Sequence, residues 1–268
     1  MYKRLEEIAR QMRCEIIKML YEAGSGHPGA SLSSADIVAA LFFEVMKHNP
    51  KNPNWDERDR FFLSKGHAAP VLYTALALCG YFPLEELKTL RKLGSRLQGH
   101  PTSKCPGVEV GTGSLGQGFS VAAGTAWALK HDSSQSHVFV LLGDGECNEG
   151  IVWEAAMFAK HHHLNNLAAI IDCNGYTNDG ILREIMDVEP FVEKWRAFGW
   201  DTIEIDGHNM EQIVKALKSP LGNSPRCILA RAIKGKGVHY LESDKSFHTK
   251  GPTLEQFQSA LKDLGCKN

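Results

Sequence analysis

Two polar residues thirty positions apart carry the most specific chemistry in this sequence. They are Asp144, within Gly143-Asp144-Gly145-Glu146, and Asn174, within Asp172-Cys173-Asn174-Gly175-Tyr176. A carboxylate and a carboxamide oxygen are the hard donors that Mg²⁺ or Ca²⁺ takes, and such ions commonly share their shell with the phosphates of a substrate or cofactor. Gly145 lets a phosphate oxygen approach a backbone N–H with no Cβ in the way. Taken alone, Gly-Asp-Gly is more often a turn, and an Asn past a strand is often there because it tolerates the left-handed conformation. The metal reading gains from placement. Both residues fall just past short apolar runs, His137–Leu142 and Leu167–Ile171, that read as strands.

A second group of residues could move protons. His27 lies in Gly24-Ser25-Gly26-His27-Pro28-Gly29, His67 in Leu63-Ser64-Lys65-Gly66-His67-Ala68 and His100 in Gln98-Gly99-His100-Pro101. His248 follows Lys234-Gly235-Lys236-Gly237-Val238. Imidazole titrates near neutrality, and it can also hydrogen-bond phosphate oxygens or a developing alkoxide. Each histidine taken singly is weak, since a His in a Gly/Pro loop is more often part of a turn. A glycine-rich loop, Gly111-Thr112-Gly113-Ser114-Leu115-Gly116-Gln117-Gly118, completes the chemistry-bearing segments.

The elements that must position these residues follow from periodicity. Leu5, Ile8, Met12, Ile16 and Met19 recur at helical spacing. Ser33 or Ser34 could cap a helix through residues 35–42, and a third helix covers Ala68 to Leu78 and stops at Gly80. Residues 1–110 thus read as helix and loop. From residue 111 to about 240, helices at Ser120–Leu129, Ile151–His163 and Met210–Leu217 alternate with strands at 137–142, 167–171, 202–205 and 227–232. That alternation predicts an α/β fold, a doubly wound, mostly parallel sheet flanked by helices, in one domain over residues 1–268. Ligands of such sheets bind at the carboxyl ends of the strands, where Asp144 and Asn174 fall.

Composition narrows the class. The 268 residues include 43% hydrophobic and 23% charged side chains, enough to bury a sizeable core, and the net charge of −1 argues against a nucleic-acid or membrane surface. The amphipathic amino terminus lacks a signal-peptide core and no run approaches membrane-spanning length, so a cytoplasmic location is expected. Seven scattered cysteines without a CxxC pair predict neither a disulfide framework nor a structural zinc site. His161-His162-His163 cannot converge on one ion, because successive helical residues point about 100° apart. Cys147, beside the Gly-Asp-Gly loop, is expected to be buried and inert. For Lys234 and Lys236, phosphate binding and a solvated loop stand as equal alternatives.

Gly-Asp-Gly followed about thirty residues later by Asn resembles the thiamine-diphosphate fingerprint. The three histidine blocks and the glycine loop make the chain similar to transketolases in particular, over about residues 5–250. The resemblance implies thiamine diphosphate bridged by Mg²⁺ (or Ca²⁺ or Mn²⁺), with Asp144, Asn174 and the backbone carbonyl of Tyr176 as metal ligands. It implies that His67, His248 and Gly145 lie near the diphosphate and Gly113 and Leu115 near the cofactor rings. His27, His67 and His100 would face the substrate's reacting oxygens. Glu149 would reach across a subunit interface. Lys65 stands where many single-chain members have Asn.

Only the diphosphate-binding part of a transketolase is covered. The resemblance therefore implies a partner chain carrying the pyrimidine-binding and C-terminal domains, an α2β2 heterotetramer, and transfer of a two-carbon ketol unit between sugar phosphates, as in the pentose phosphate pathway. Alternatives on the same scaffold are a deoxyxylulose-phosphate synthase-like half, a 2-oxo-acid dehydrogenase α chain, or a non-catalytic cofactor-binding subunit. A nucleotide-binding dehydrogenase is disfavoured because no GxGxxG opens the first βαβ unit.

Overall fold

The apolar residues at helical spacing near the amino terminus form α1 (Tyr2–Ala23) in the computed structural model, which describes residues 2–220, 222–243 and 251–266. Leu5, Met12, Ile16 and Met19 are buried and Ile8 is half-buried, so the stripe read from the sequence is the packing face. Two short helices follow, α2 (Pro28–Ser33) and α3 (Ala35–Ala40). Ser34 is the N-cap residue of α3, but its hydroxyl makes no capping bond. It donates instead to the Ala30 carbonyl and to the Asp172 carboxylate.

The first 110 residues are not purely helix and loop. Arg60–Leu63 forms β1, an edge strand, before α4 (Ala69–Cys79), which ends at Gly80 with φ +89°. The glycine-rich loop then leads into α5 (Gln117–His131), and β2 (Val138–Gly143), α6 (Gly150–His161) and β3 (Leu167–Cys173) follow. The rest comprises α7 (Leu182–Ile185), α8 (Phe191–Ala197), β4 (Asp201–Asp206), α9 (Met210–Lys218), β5 (Arg226–Arg231), α10 (His239–Ser243) and α11 (Leu254–Asp263).

All strand pairs are parallel, in the order β1-β2-β3-β5-β4. One row across the sheet reads Phe62, Val140, Ala169, Cys227, Thr202. Side chains alternate between the two faces of a strand, and on β2, β3 and β5 both faces are dry, while the edge strand β4 is largely solvent-facing. Val138, Val140 and Leu142 join the core beneath α5 and α6, while Phe139 and Leu141 join the core beneath α1, α3 and α4. This is why the strands read as continuous apolar runs. Among the described residues no helix is long and apolar enough to cross a membrane.

The carboxyl-terminal helix is tied to the amino-terminal one. Thr253 and Gln256 form a reciprocal capping box at the start of α11. Arg10 donates to the Leu264 and Gly265 carbonyls at 3.0 and 2.9 Å. Cys14 and Cys266 form a disulfide, with Cα atoms 6.0 Å apart. The composition argument against a disulfide framework thus holds for five cysteines and fails for this pair.

Candidate active site

The carboxyl ends of β2 and β3 lie side by side, with Gly143 opposite Asp172. This register brings the Asp144 turn against the Asn174 turn. The Asp144 carboxylate accepts from its own turn, Gly145 N–H at 2.9 Å, and from the neighbouring one, Gly175 N–H at 2.6 Å. Asn174 Oδ1 accepts from Tyr176 N–H at 3.1 Å, and its amide donates to Asp172 Oδ2 at 3.0 Å. Asp144, Asn174, Tyr176 and Gly145 all line one cavity of about 360 Å³, together with His27, His67, Gly113, Leu115, Lys65 and Lys234.

The electrostatics of this corner suit a cation. Burial, with Asp172 close by, raises the Asp144 carboxyl to about 7 despite the two N–H bonds that favour its charge. Asp172 Oδ1 is buried with no hydrogen-bond partner. A divalent ion beside these oxygens would relieve both conditions, so the residues fit one. Among the described residues there is no group of three His, Cys, Asp or Glu side chains able to hold a metal. One carboxylate, one carboxamide and a main-chain oxygen make a different donor set, whose shell cofactor phosphates would complete.

Lys65 does not simply stand in for a polar substrate contact. Its side chain is fully buried, and its ammonium pairs with Asp172 and donates to the Ala30 carbonyl at 3.1 Å. Ser33 also donates to Asp172, at 2.6 Å. A buried pair of this kind needs hydrogen bonds to both ions, and here every one to the Asp172 carboxylate falls on Oδ2. Its effect is to fix Asp172, and through it the Asn174 amide.

Glu146 stands in the sequence only as the last residue of a motif, yet it pins three segments. It accepts from Gly116 N–H at 2.7 Å, Gly143 N–H at 3.1 Å and Ser64 Oγ–H at 2.5 Å. Its carboxyl is raised by burial, with those three bonds acting the other way. The glycine loop is thereby held over the end of β1. It needs glycine there: a Cβ on Gly118 would lie 2.7 Å from Ser64 Cα, and one on Gly66 would lie 2.9 Å from the Thr112 backbone.

Three of the four histidines come together. The His27 and His67 rings are 5.2 Å apart and His27 and His100 are 6.5 Å apart, centre to centre. His100 stands at the rim, against Gly113. Partial desolvation and the positive charge of Arg91 lower its pKa below the ordinary value. His248 lies outside the described residues. Glu149 is exposed at the N-cap of α6, outside the cavity but in contact range of Gly116. Arg91, which sequence reasoning passed over, holds φ +61°, lays its guanidinium against Gly99 and donates to Ser25 Oγ at 3.2 Å. Nothing local in the sequence marks it.

His161 and His162 stack edge to face, and His162 packs on Phe158 and Trp127. Cys147 is buried, its thiol pushed well up by desolvation. Lys234 is buried in the cavity wall, whereas Lys236 is half-buried outside it.

Comparison with known proteins bears on this arrangement. The transketolase thiamine diphosphate binding domain matches residues 5–267. The chain belongs to the transketolase family. It is 44% identical to the 6-deoxy-6-sulfo-D-fructose transketolase subunit SqwG of Clostridium sp. (strain MSTE9), over 97% of this chain and 96% of that one. It is 40% identical to an apulose-4-phosphate transketolase subunit of Phocaeicola vulgatus, over 97% and 93%. Against human transketolase the identity is 42% over 92% of this chain but only 40% of the relative. The transketolase structure from Campylobacter jejuni superposes with a TM-score of 0.92 at 36% identity, covering 98% of this chain and 43% of that one. The chain thus spans about two-fifths of the single-chain transketolases it matches, and nearly the whole of chains named as subunits. It is a thiamine diphosphate-binding transketolase chain of the N-terminal subunit type, part of a transferase.

Proposed function

We propose that this chain holds the diphosphate end of thiamine diphosphate in a two-chain transketolase that moves a two-carbon ketol unit from a ketose to an aldose. The observation that supports this most is the convergence of Asp144, Asn174 and the His27/His67 pair on one cavity. Asp144, Asn174 and the Tyr176 carbonyl would hold Mg²⁺, Ca²⁺ or Mn²⁺. The Gly145 N–H, His67 and His248 would face the diphosphate, with Gly113 and Leu115 against the rings. The bound cofactor would supply the carbanion chemistry, which no side chain can provide. His27, His67 and His100 would hold and pass protons at the sugar's carbonyl and hydroxyl oxygens, and the lowered pKa of His100 keeps it available as a base near neutrality. Glu149 would meet the partner's catalytic glutamate.

The relatives named as subunits carry names that describe anionic sugars, a sulfo-fructose and a sugar phosphate. Arg91, exposed at the rim beside Ser25 and His100, offers this chain's cation to such a group. The pentose phosphate pathway is one setting for this exchange.

The partner chain would supply the pyrimidine-binding and C-terminal domains in an α2β2 assembly. Support comes from α5 and α6, where the large apolar side chains Val121, Trp127, Met157 and Phe158 are 41%, 44%, 55% and 39% exposed. Large apolar side chains left exposed on two neighbouring helices mark an interface when they group together, and Trp127 and Phe158 both pack on His162. Substituting Glu for Trp127 is expected to weaken association with the partner at least about 30-fold while the chain still folds, since hot-spot aromatics cost upward of about 2 kcal/mol when lost. Analytical ultracentrifugation of the mixed chains measures this.

Enzyme assay tests the function itself. With thiamine diphosphate, magnesium and an anionic ketose donor, the chain alone should give no ketol transfer, and adding the partner should restore it. Full activity without a partner, or none with it, would overturn the reading.

A further inference from the structure

Lys234, in the cavity wall, follows directly on a backbone amide held by a hydrogen-bond chain from α1 and α3. Its stem lies along Gly29, where an added Cβ would come 2.8 Å from its Cγ, and its ammonium sits 5.0 Å from the centre of the Tyr176 ring. The loop that carries it leaves β5 at Arg231. Ala232 N–H bonds the Cys173 carbonyl at 3.0 Å and Gly235 N–H bonds the Gly29 carbonyl at 3.2 Å. Between them, Ile233 N–H has no backbone acceptor and donates to His208 Nε2 at 2.8 Å.

That bond fixes the tautomer of His208. A ring nitrogen that accepts an N–H is unprotonated, so the proton is on Nδ1 and is donated to Asp36 Oδ2 at 2.8 Å. Asp36 is in turn gripped by both guanidinium nitrogens of Arg13, at 3.1 and 2.5 Å. Burial works against the Asp36 charge, but the His208 bond and the Arg13 pair outweigh it and hold its carboxyl below the ordinary range. The orientation of the imidazole therefore comes from α1 and α3, and it is delivered to the backbone one residue before Lys234.

We infer that His208 is a positioning residue for the diphosphate site: through Ile233 N–H it sets the Lys234 loop so that the ammonium faces the cavity shared by Asp144 and Gly145. The inference rests on the reading of that cavity as the diphosphate site. His208 touches neither cofactor nor substrate in this scheme and does no chemistry. Its contribution is to keep a cation close to where two phosphate groups would sit, with the side chain ordered before they arrive.

The test is a double-mutant cycle on the full chain in complex with its partner, read by calorimetric binding of magnesium with thiamine diphosphate and by hydrogen exchange at the Ile233 amide. His208→Gln keeps an acceptor near the Nε2 position, and His208→Asn keeps only the donor towards Asp36. We expect His208→Gln to bind as the wild type does, His208→Asn to bind roughly tenfold more weakly, and the Ile233 amide to exchange faster in the Asn variant alone. In a Lys234→Met background His208→Asn should add nothing, because its effect passes through Lys234. Additive losses in that cycle, or unchanged affinity in His208→Asn, would overturn the inference while leaving the cavity's assignment intact. Absence of binding by the wild-type complex of this chain with its partner would instead remove the assignment, and the inference with it. Should His208→Asn fail to fold, the wild-type amide still decides: rapid exchange at Ile233 is incompatible with the bond.

Discussion

Substituting Ala for Asp144 is expected to lower the affinity for magnesium and thiamine diphosphate by at least about 100-fold, since even an outer residue supporting a metal ligand is worth roughly 10–100-fold. The substitution removes the only carboxylate predicted to bind the ion, and it frees the Gly175 N–H that ties the two turns together. The same carboxylate gives the cation-free chain a pH dependence whose sign is fixed. Its folded pKa, about 7, lies above the ordinary carboxylate value. Its stabilising contribution is therefore complete below about pH 4 and is lost as pH rises through about 7. A divalent cation relieves the buried charge. The magnesium-induced rise in melting temperature should therefore be larger at about pH 8 than at about pH 5.5, and Asp144→Asn should abolish that difference. Differential scanning calorimetry at the two pH values measures it, and an equal rise at both would contradict the proposed ligand.

A comparably large effect is expected from Lys65→Met, on stability. Met keeps most of the side chain's volume but leaves the Asp172 carboxylate without its cation, and both groups are fully buried. Breaking a buried ion pair from one side costs about 3–5 kcal/mol. In a chain of this size that lowers the melting temperature by roughly 10 °C. Ser33, Ser34 and Asn174 still donate to Asp172, but they are neutral and cannot replace the charge. Adding Asp172→Asn to Lys65→Met should recover much of the loss, because the stranded charge disappears. Cofactor affinity should stay low in the double variant, since the Asn174 amide has lost the carboxylate that orients it. Urea unfolding and calorimetric titration separate the two outcomes. A single variant as stable as the wild type would contradict the stabilising role of the Lys65–Asp172 pair.

Much of the scaffold is readable from residue order because its signals are local. The strands at 138–143, 167–173 and 226–231 are short, largely apolar runs set between helical stretches, as a two-sided parallel sheet imposes, while the edge strand at 201–206 alternates polar and apolar residues. The strand at 60–63 escapes notice for a physical reason. Arg-Phe-Phe-Leu is too short for a period to show, and only its pairing with β2 makes it a strand. The site divides along the same line. Asp144 and Asn174 stand out because each follows a strand. Glu146 does not, because its partners Gly116 and Ser64 are 30 and 82 residues away. The hydrogen bond from Lys65 to Asp172 spans 107 residues, and that from His208 to Asp36 spans 172. Such contacts exist only once the sheet has formed, so no window of sequence contains them.

The bridge between Cys14 and Cys266 joins positions 252 residues apart. In topological terms it turns nearly the whole polypeptide into a ring. A single protease cut in any loop within that ring would leave both pieces covalently joined, and the nicked protein would keep its mass until a reductant opened the link. Gel mobility of a lightly digested sample, run with and without dithiothreitol, would make the ring visible.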